Sequence, residues 1–415
     1  MSAFWHPFAD MGAVDGHEMV IDRGEGIYVF DESGRRYLDA TASLWYCNVG
    51  YGRQEIVAAV ATQMEKLHAY HTFGDLVTRP VIELTERIAS IAPVPGSKVF
   101  LTSGGSDSVD SAAKLVRRYF HLIGQPDRTV FITREWGYHG THAYGTSLAG
   151  MAANKDGYGE LIGDVVTVPW DSVEAVEKVI EQVGPERIAG LFCEPVIGAG
   201  GVRIPPEGYL TGVREAIRGA GALFIADEVV TGFGRVGAWF ASNRFNLQPD
   251  LVTFAKGVTS GYLALGGVIA APWIAEPFWG GGVMWRHGYT YSGHSTAAAA
   301  AVANLDIVER EGILAHSLQL ESELTAALAP LGRHPLVTEI RSGLGVLGAV
   351  QLDPEAVEAD PGLPAKAFQA IRAAGALTRP VGGGGLQVSP SLIINTEQLE
   401  ELVAAFFTGL DTVSV

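Results

Sequence analysis

Lys256 closes the run Leu251-Val252-Thr253-Phe254-Ala255 and stands directly before Gly257. The run is β-branched and aromatic, the pattern of a strand buried on both faces. An ammonium group at the end of such a strand is costly unless something pairs or reacts with it. A lysine held this way is suited to forming a Schiff base with a carbonyl compound. Other reactive groups follow other apolar runs in the same manner. Asp227 and then Glu228 follow "ALFIA", and Glu194-Pro195 follows "IAGLFC". "SGGSDS" (103–108) follows "KVFLT" and opens a helix at about Val109, and "REWGYHG", with Tyr138 and His139, follows "TVFIT". Ligands of an open parallel sheet bind beyond the carboxyl ends of its strands. One rim therefore collects a lysine, two acids, a glycine-rich helix entry and a tyrosine-histidine pair. Pyridoxal phosphate needs these parts: a lysine for the Schiff base, an acid for the pyridine nitrogen, and helix N–H groups for the phosphate. In that scheme Gly105 and Ser106 offer backbone donors to the phosphate, and Asp227 holds the ring nitrogen protonated. Each group also has an ordinary reading: a surface lysine, a capping aspartate, a plain helix cap, a core tyrosine.

The elements that position these residues alternate along the chain. "GIYVFDESGRRYLDA" (27–40) reads as a hairpin around Asp31-Glu32-Ser33-Gly34, and 53–67 and 79–92 have helical spacing. From about 98 to 270, six apolar runs alternate with helices, which implies a mostly parallel sheet covered on both faces. From about 306 onward, helices mix with short strands. The expected division is 1–55 as the amino-terminal part of a smaller domain, 56–305 as the large domain, and 306–415 as the rest of the smaller one.

With 47% hydrophobic and 18% charged residues and no low-complexity tract, the chain has the composition of an ordinary globule. Its net charge is −17, from 29 basic and 46 acidic residues, with no basic block to attract nucleic acid or an anionic membrane. MSAFWHPFADMG lacks the regions of a signal peptide, and no apolar stretch reaches membrane-spanning length. Cys47 and Cys193 have no metal or redox spacing. A cytoplasmic location is the expectation.

Five ordered segments also resemble those of the class III (ω-) aminotransferases, enzymes of pyridoxal phosphate fold type I. They are "LFIADEVVTGFGRVGAWFA", "PDLVTFAKGVTSGYLALGGV", "EPVIGAGGVRIPPEGYL", "GYHG" and "HGYTYSGHSTAAAAA". "SLWYCNVGYGR" is most similar to the amine- and β-alanine:pyruvate branch. The phosphate loop departs from the family's N-S-G-S-E and reads Ser103-Gly104-Gly105-Ser106-Asp107, which keeps the backbone donors and changes the side chains at the first, second and fifth positions, with the contacts of the first two affected. The resemblance implies an α/β fold with a large domain and a smaller α+β domain formed by both termini. It implies Val229 on one face of the cofactor ring, Tyr138 stacked on the other with His139 beside it, and Glu194 near the ring. It further implies a homodimer, or a dimer of dimers, in which Thr290 reaches the neighbouring subunit's phosphate. Trp45 and Tyr46 match aromatics that face the amine's side chain. Arg379, in "GALTRPVGGGG", matches a mobile arginine that binds the acceptor's carboxylate. The implied reaction moves an amino group from a primary amine or ω-amino acid to an α-keto acid, pyruvate in this branch, by a ping-pong route through pyridoxamine phosphate.

Two other readings compete. A racemase or aminomutase of the same fold would use the same lysine without a keto-acid partner. A nicotinamide oxidoreductase would rest on Gly232-Phe233-Gly234-Arg235-Val236-Gly237, which spells G-x-G-x-x-G. Five residues, "DEVVT", separate that motif from its strand, whereas the fingerprint needs its first glycine in the turn directly after the strand. His139 and His142 lack the companions of a metal site.

Overall fold

Strands rich in Val, Ile, Leu and Phe build the centre of the molecule. The computed structural model describes residues 3–413. Among them a seven-stranded sheet runs in the order Lys98–Thr102, Gly266–Ala270, Leu251–Phe254, Leu223–Asp227, Ile188–Cys193, Val130–Arg134, Val165–Val168. Every pairing not involving Gly266–Ala270 is parallel, while that strand runs antiparallel to both neighbours. The cause is local. Leu251–Phe254 and Gly266–Ala270 are joined by a segment with a single turn of 3-10 helix, too short to cross over and return parallel. Ile188–Cys193, Leu223–Asp227 and Leu251–Phe254 are buried at every position, as their unbroken apolar runs require. The edge strand Val165–Val168 was not among the six anticipated.

The helix after Lys98–Thr102 begins at Gly105, four residues before the expected Val109, and runs to Leu122. Gly104 is fully extended, so the chain turns into the helix within one residue. The anticipated hairpin is present, Tyr28–Asp31 paired with Arg36–Asp39. A further strand, Ile21–Glu25, pairs on its outer side, and Ala376–Leu377 joins Arg36–Asp39 in parallel, so both ends of the chain share one sheet. A third sheet holds Val337–Arg341, Gly348–Leu352, Gly385–Val388 and Pro380–Val381, all antiparallel.

Two large apolar cores meet along the helix Ser295–Arg310. Ala300, Ile307 and Val308 pack into the core beneath the terminal sheets, and Ala297, Ala298, Ala301 and Leu305 into the core beneath the seven-stranded sheet. A division at residue 305 cuts this helix, and one at 55 cuts the helix Gln54–Leu67. We place the second boundary instead at Gly312, whose left-handed φ of 63° ends one helix and starts the next.

Candidate active site

Three adjacent strands end together and present their reactive residues side by side. The register pairs Cys193 with Ala226 and Asp227 with Thr253, so Glu194, Asp227 and the segment leading to Lys256 lie along one edge. Lys256, Asp227, Glu194, Tyr138, His139, Gly105, Ser106, Val229, Trp45 and Arg379 all line one cavity of about 520 Å³. Tyr46 and Thr290 do not line it. Tyr46 turns toward Gly261, where an added Cβ would lie 2.2 Å from its ring, and its neighbour Leu44 faces the cavity in its place. Thr290 is exposed on its own chain.

Lys256 has a left-handed φ of 47°, a backbone cost that aims its side chain inward. Burial pushes its ammonium down from 10.5 to about 8, against the carboxylates of Asp227 and Glu194, which hold it up. Asp227 is 4% exposed. Its Oδ1 accepts from Thr253 Oγ1 at 3.0 Å and from the Val229 N–H at 3.2 Å, and its Oδ2 lies 2.7 Å from His139 Nδ1. With its proton on Nδ1, His139 donates to the carboxylate and fixes its plane. Glu194 accepts the N–H of Tyr138 at 2.9 Å and that of Gly198 at 3.0 Å. Burial raises its pKa, with His139 opposing. Glu194 thus ties two cavity loops together.

The helix Gly105–Leu122 opens at the cavity without a side-chain cap. Its first N–H groups and its dipole suit a phosphate. Space is short nearby: a Cβ on Gly105 would lie 3.0 Å from Val229 Cγ1, and Gly140 (φ 92°) must be glycine, since its Cβ would lie 2.5 Å from Ser106 Oγ. Asp107, the departure from the usual glutamate, accepts the Ser103 N–H at 3.0 Å and so braces the loop through its own side chain.

The opposite wall is Trp45. Its ring centroid lies 5.7 Å from Lys256 Nζ and 4.4 Å from the Arg379 guanidinium carbon, so both cations lie close to one indole. Trp45 sits in a strained turn where Ala42, Ser43 and Trp45 all have positive φ. Asp39 holds that turn, accepting from the Thr41 N–H (2.9 Å), Thr41 Oγ1 (2.7 Å), the Ser43 N–H (2.6 Å) and Tyr51 Oη (2.7 Å). Arg379 is not carried on the loose glycine segment. Its C=O accepts from the Gln387 N–H at 3.0 Å, and its Nε donates to Gln387 Oε1 at 2.7 Å. Its backbone is thus pinned, and any movement of this arginine is confined to its side chain. Burial lowers its pKa to about 10. Phe8, Met151 and Asn154 also line the cavity, from loops whose sequence carries no periodic signal.

The glycine-rich decoy has a structural task. Arg235 is fully buried and donates to Asn48 Oδ1 at 2.6 Å and to the Pro390 carbonyl at 2.5 Å, joining segments from both ends of the chain. Phe233, between the first two glycines, is buried against Phe240 and Phe254. No dinucleotide turn is formed.

The family model for class III aminotransferases matches residues 11–409. The chain belongs to the class III aminotransferases. It is 39% identical to the putrescine–pyruvate aminotransferase of Pseudomonas aeruginosa, over 94% of this chain and 90% of that protein. A solved transaminase from the marine bacterium Virgibacillus superposes with a TM-score of 0.94 at 38% identity, covering 99% of this chain and 97% of that one. The ω-transaminase of Pseudomonas jessenii in complex with PMP gives 0.92 at 34% identity, over 99% and 96%. This aminotransferase therefore has fold type I and uses pyridoxal phosphate. The cavity fits that cofactor: it joins a lysine held near pH 8, a buried carboxylate and an uncapped helix terminus. The nicotinamide reading is overturned. No helix among the described residues is long and apolar enough to cross a membrane.

Proposed function

We propose that this aminotransferase takes an amino group from an uncharged-bodied primary amine or ω-amino acid and delivers it to pyruvate by a ping-pong route. The observation that carries this is that one cavity holds both Lys256 and Arg379, each close to the ring of Trp45. The cavity's two carboxylates are both occupied by protein donors, and its remaining wall is largely apolar: Phe8, Leu44, Met151, Val230 and Val381. An amine's apolar body fits that wall. A short keto acid fits with its carboxylate at Arg379 and its carbonyl toward Lys256. The relative named for putrescine and pyruvate supports a pyruvate acceptor.

When bound, pyridoxal phosphate supplies an electron sink for the carbon that loses its proton. The protein supplies the rest. Gly105 and Ser106 offer N–H groups to the phosphate. Asp227, oriented by His139 and Thr253, keeps a proton on the ring nitrogen. Val229 and Tyr138, both on the cavity wall, would pack against the ring. Lys256 Nζ, whose pKa burial lowers to about 8, would carry the proton from the substrate carbon to the C4′ position of the cofactor. Glu194 holds the Tyr138 loop in register. We assign the homodimer on the same basis, with the partner's Thr290 completing the phosphate contacts from the exposed position it has on its own chain.

The test is a panel of amines with pyruvate or 2-oxoglutarate as acceptor. Alanine should form one-for-one with the carbonyl product, with parallel double-reciprocal lines. Product formation without consumption of a keto acid would instead favour the racemase or aminomutase reading.

A further inference from the structure

We infer that Gln387 is a latch that holds Arg379 against Trp45 on the cavity wall and so sets how readily the site accepts a carboxylate. The inference rests on Arg379 as the carboxylate-binding group. Gln387 is fully buried on the strand Gly385–Val388, directly across from Arg379. Its N–H donates to the Arg379 carbonyl at 3.0 Å, and Thr378 Oγ1 donates to its carbonyl at 2.7 Å, so its backbone is fixed on both sides. Its amide Nε2 points to the Thr41 carbonyl at 3.4 Å, which turns Oε1 toward Arg379 and fixes the direction of the latch. Arg379 Nε donates to that Oε1 at 2.7 Å while its guanidinium rests on Trp45.

The parked position is half satisfying by construction. A neutral amide oxygen accepts one N–H of the fork, while a carboxylate accepts two and adds charge. Burial of the guanidinium makes the missing anion felt. A keto acid that binds through Nε and one Nη displaces one neutral acceptor and gains a bidentate one. An uncharged amine displaces nothing and leaves the arginine parked. The strength of the Arg379–Gln387 bond thus balances the two substrates that must share one cavity.

Two nearly isosteric replacements separate the latch from a packing role. Gln387→Met removes the acceptor, and the pyruvate concentration that half-saturates the keto-acid half-reaction should fall about 10-fold relative to the amine half-reaction in the same variant. Gln387→Glu supplies a charged acceptor, and the same ratio should rise about 10-fold or more. Propionate, a carboxylate with no keto group, should follow the same order when titrated into the holoenzyme and read from its visible band. Thermal unfolding identifies a variant that fails to fold; the methionine variant and the propionate titration then decide alone. Arg379→Ala tests the underlying reading separately: unchanged pyruvate and propionate binding would remove Arg379 from carboxylate recognition. If Arg379→Ala weakens both while the Gln387 variants leave the ratio unmoved, or shift it in one common direction, Gln387 is structural and the latch is wrong.

Discussion

Replacing Lys256 by Met tests the strain that the site stores before any cofactor arrives. Met keeps the length and the apolar stem and deletes the ammonium. In the folded chain the lysine titrates near 8 against 10.5 when free, so its charged form is disfavoured by folding. The sign follows directly. Below pH 8 both folded and unfolded chains hold the proton, and the full cost is present. Between 8 and 10.5 only the unfolded chain holds it, and the cost fades as pH rises. At about 1.36 kcal/mol for each pH step, the cost near pH 7 is about 3 kcal/mol, trimmed to about 2–3 kcal/mol by partial solvent access. In cofactor-free protein, Lys256→Met should therefore be more stable than the parent by that amount at pH 7. The advantage should shrink by about 2 kcal/mol at pH 9.5. Urea unfolding at fixed protein concentration measures both values. The same variant, given pyridoxal phosphate, should show no visible absorbance that borohydride can fix. A gain that is absent, or equal at both pH values, would refute the claim that burial depresses this lysine.

The other substitutions act on separate parts of the site. Asp227→Asn keeps the shape but removes the charge that holds the ring nitrogen's proton; single-turnover deamination of an amine should slow by about 10- to 100-fold, the worth of one charge-assisted hydrogen bond. A near-normal rate would remove that role. Gly105→Ala places a Cβ 3.0 Å from Val229 Cγ1, and cofactor affinity, read by absorbance titration, should fall about 10-fold as the helix entry is pushed back. Arg235→Leu orphans Asn48 Oδ1 and the Pro390 carbonyl and should cost about 2–4 kcal/mol in urea unfolding, with the active-site absorbance retained in folded protein.

What the sequence disclosed is what strands disclose best. Lys256, Asp227 and Glu194 each follow a run too apolar to lie anywhere but inside a sheet, and the rule that ligands sit past strand ends brought them together. The helix entry lies four residues before the expected one because Gly104 is extended and the helix starts without a capping side chain. Tyr46 was named with Trp45 from the resemblance, and Leu44 takes the cavity wall because nothing in "ASLWY" reveals three positive φ values, which rotate successive side chains out of any simple period. Only the Asx pattern Asp39-Ala40-Thr41 hinted at a tight turn there. Gln387 could not be found from the sequence, since its meaning lies in a cross-strand pairing with Arg379. The glycine run after Arg379 carries no periodic signal, and in the structure it forms the bend between two paired strands.

The strand Arg36–Asp39 has its parallel partner, Ala376–Leu377, more than three hundred residues downstream. On the ribosome this strand emerges early with one edge unpaired. Synthesis at about 5–20 residues per second leaves that edge waiting for about 20–60 s. An open strand edge is a template for pairing with another chain. The charged residues on the hairpin, Arg35, Arg36 and Glu32 among them, then protect a nascent polypeptide during its longest exposed interval. Replacing them with apolar residues would reduce the yield of soluble protein made in the cell, even where the finished enzyme tolerates the change.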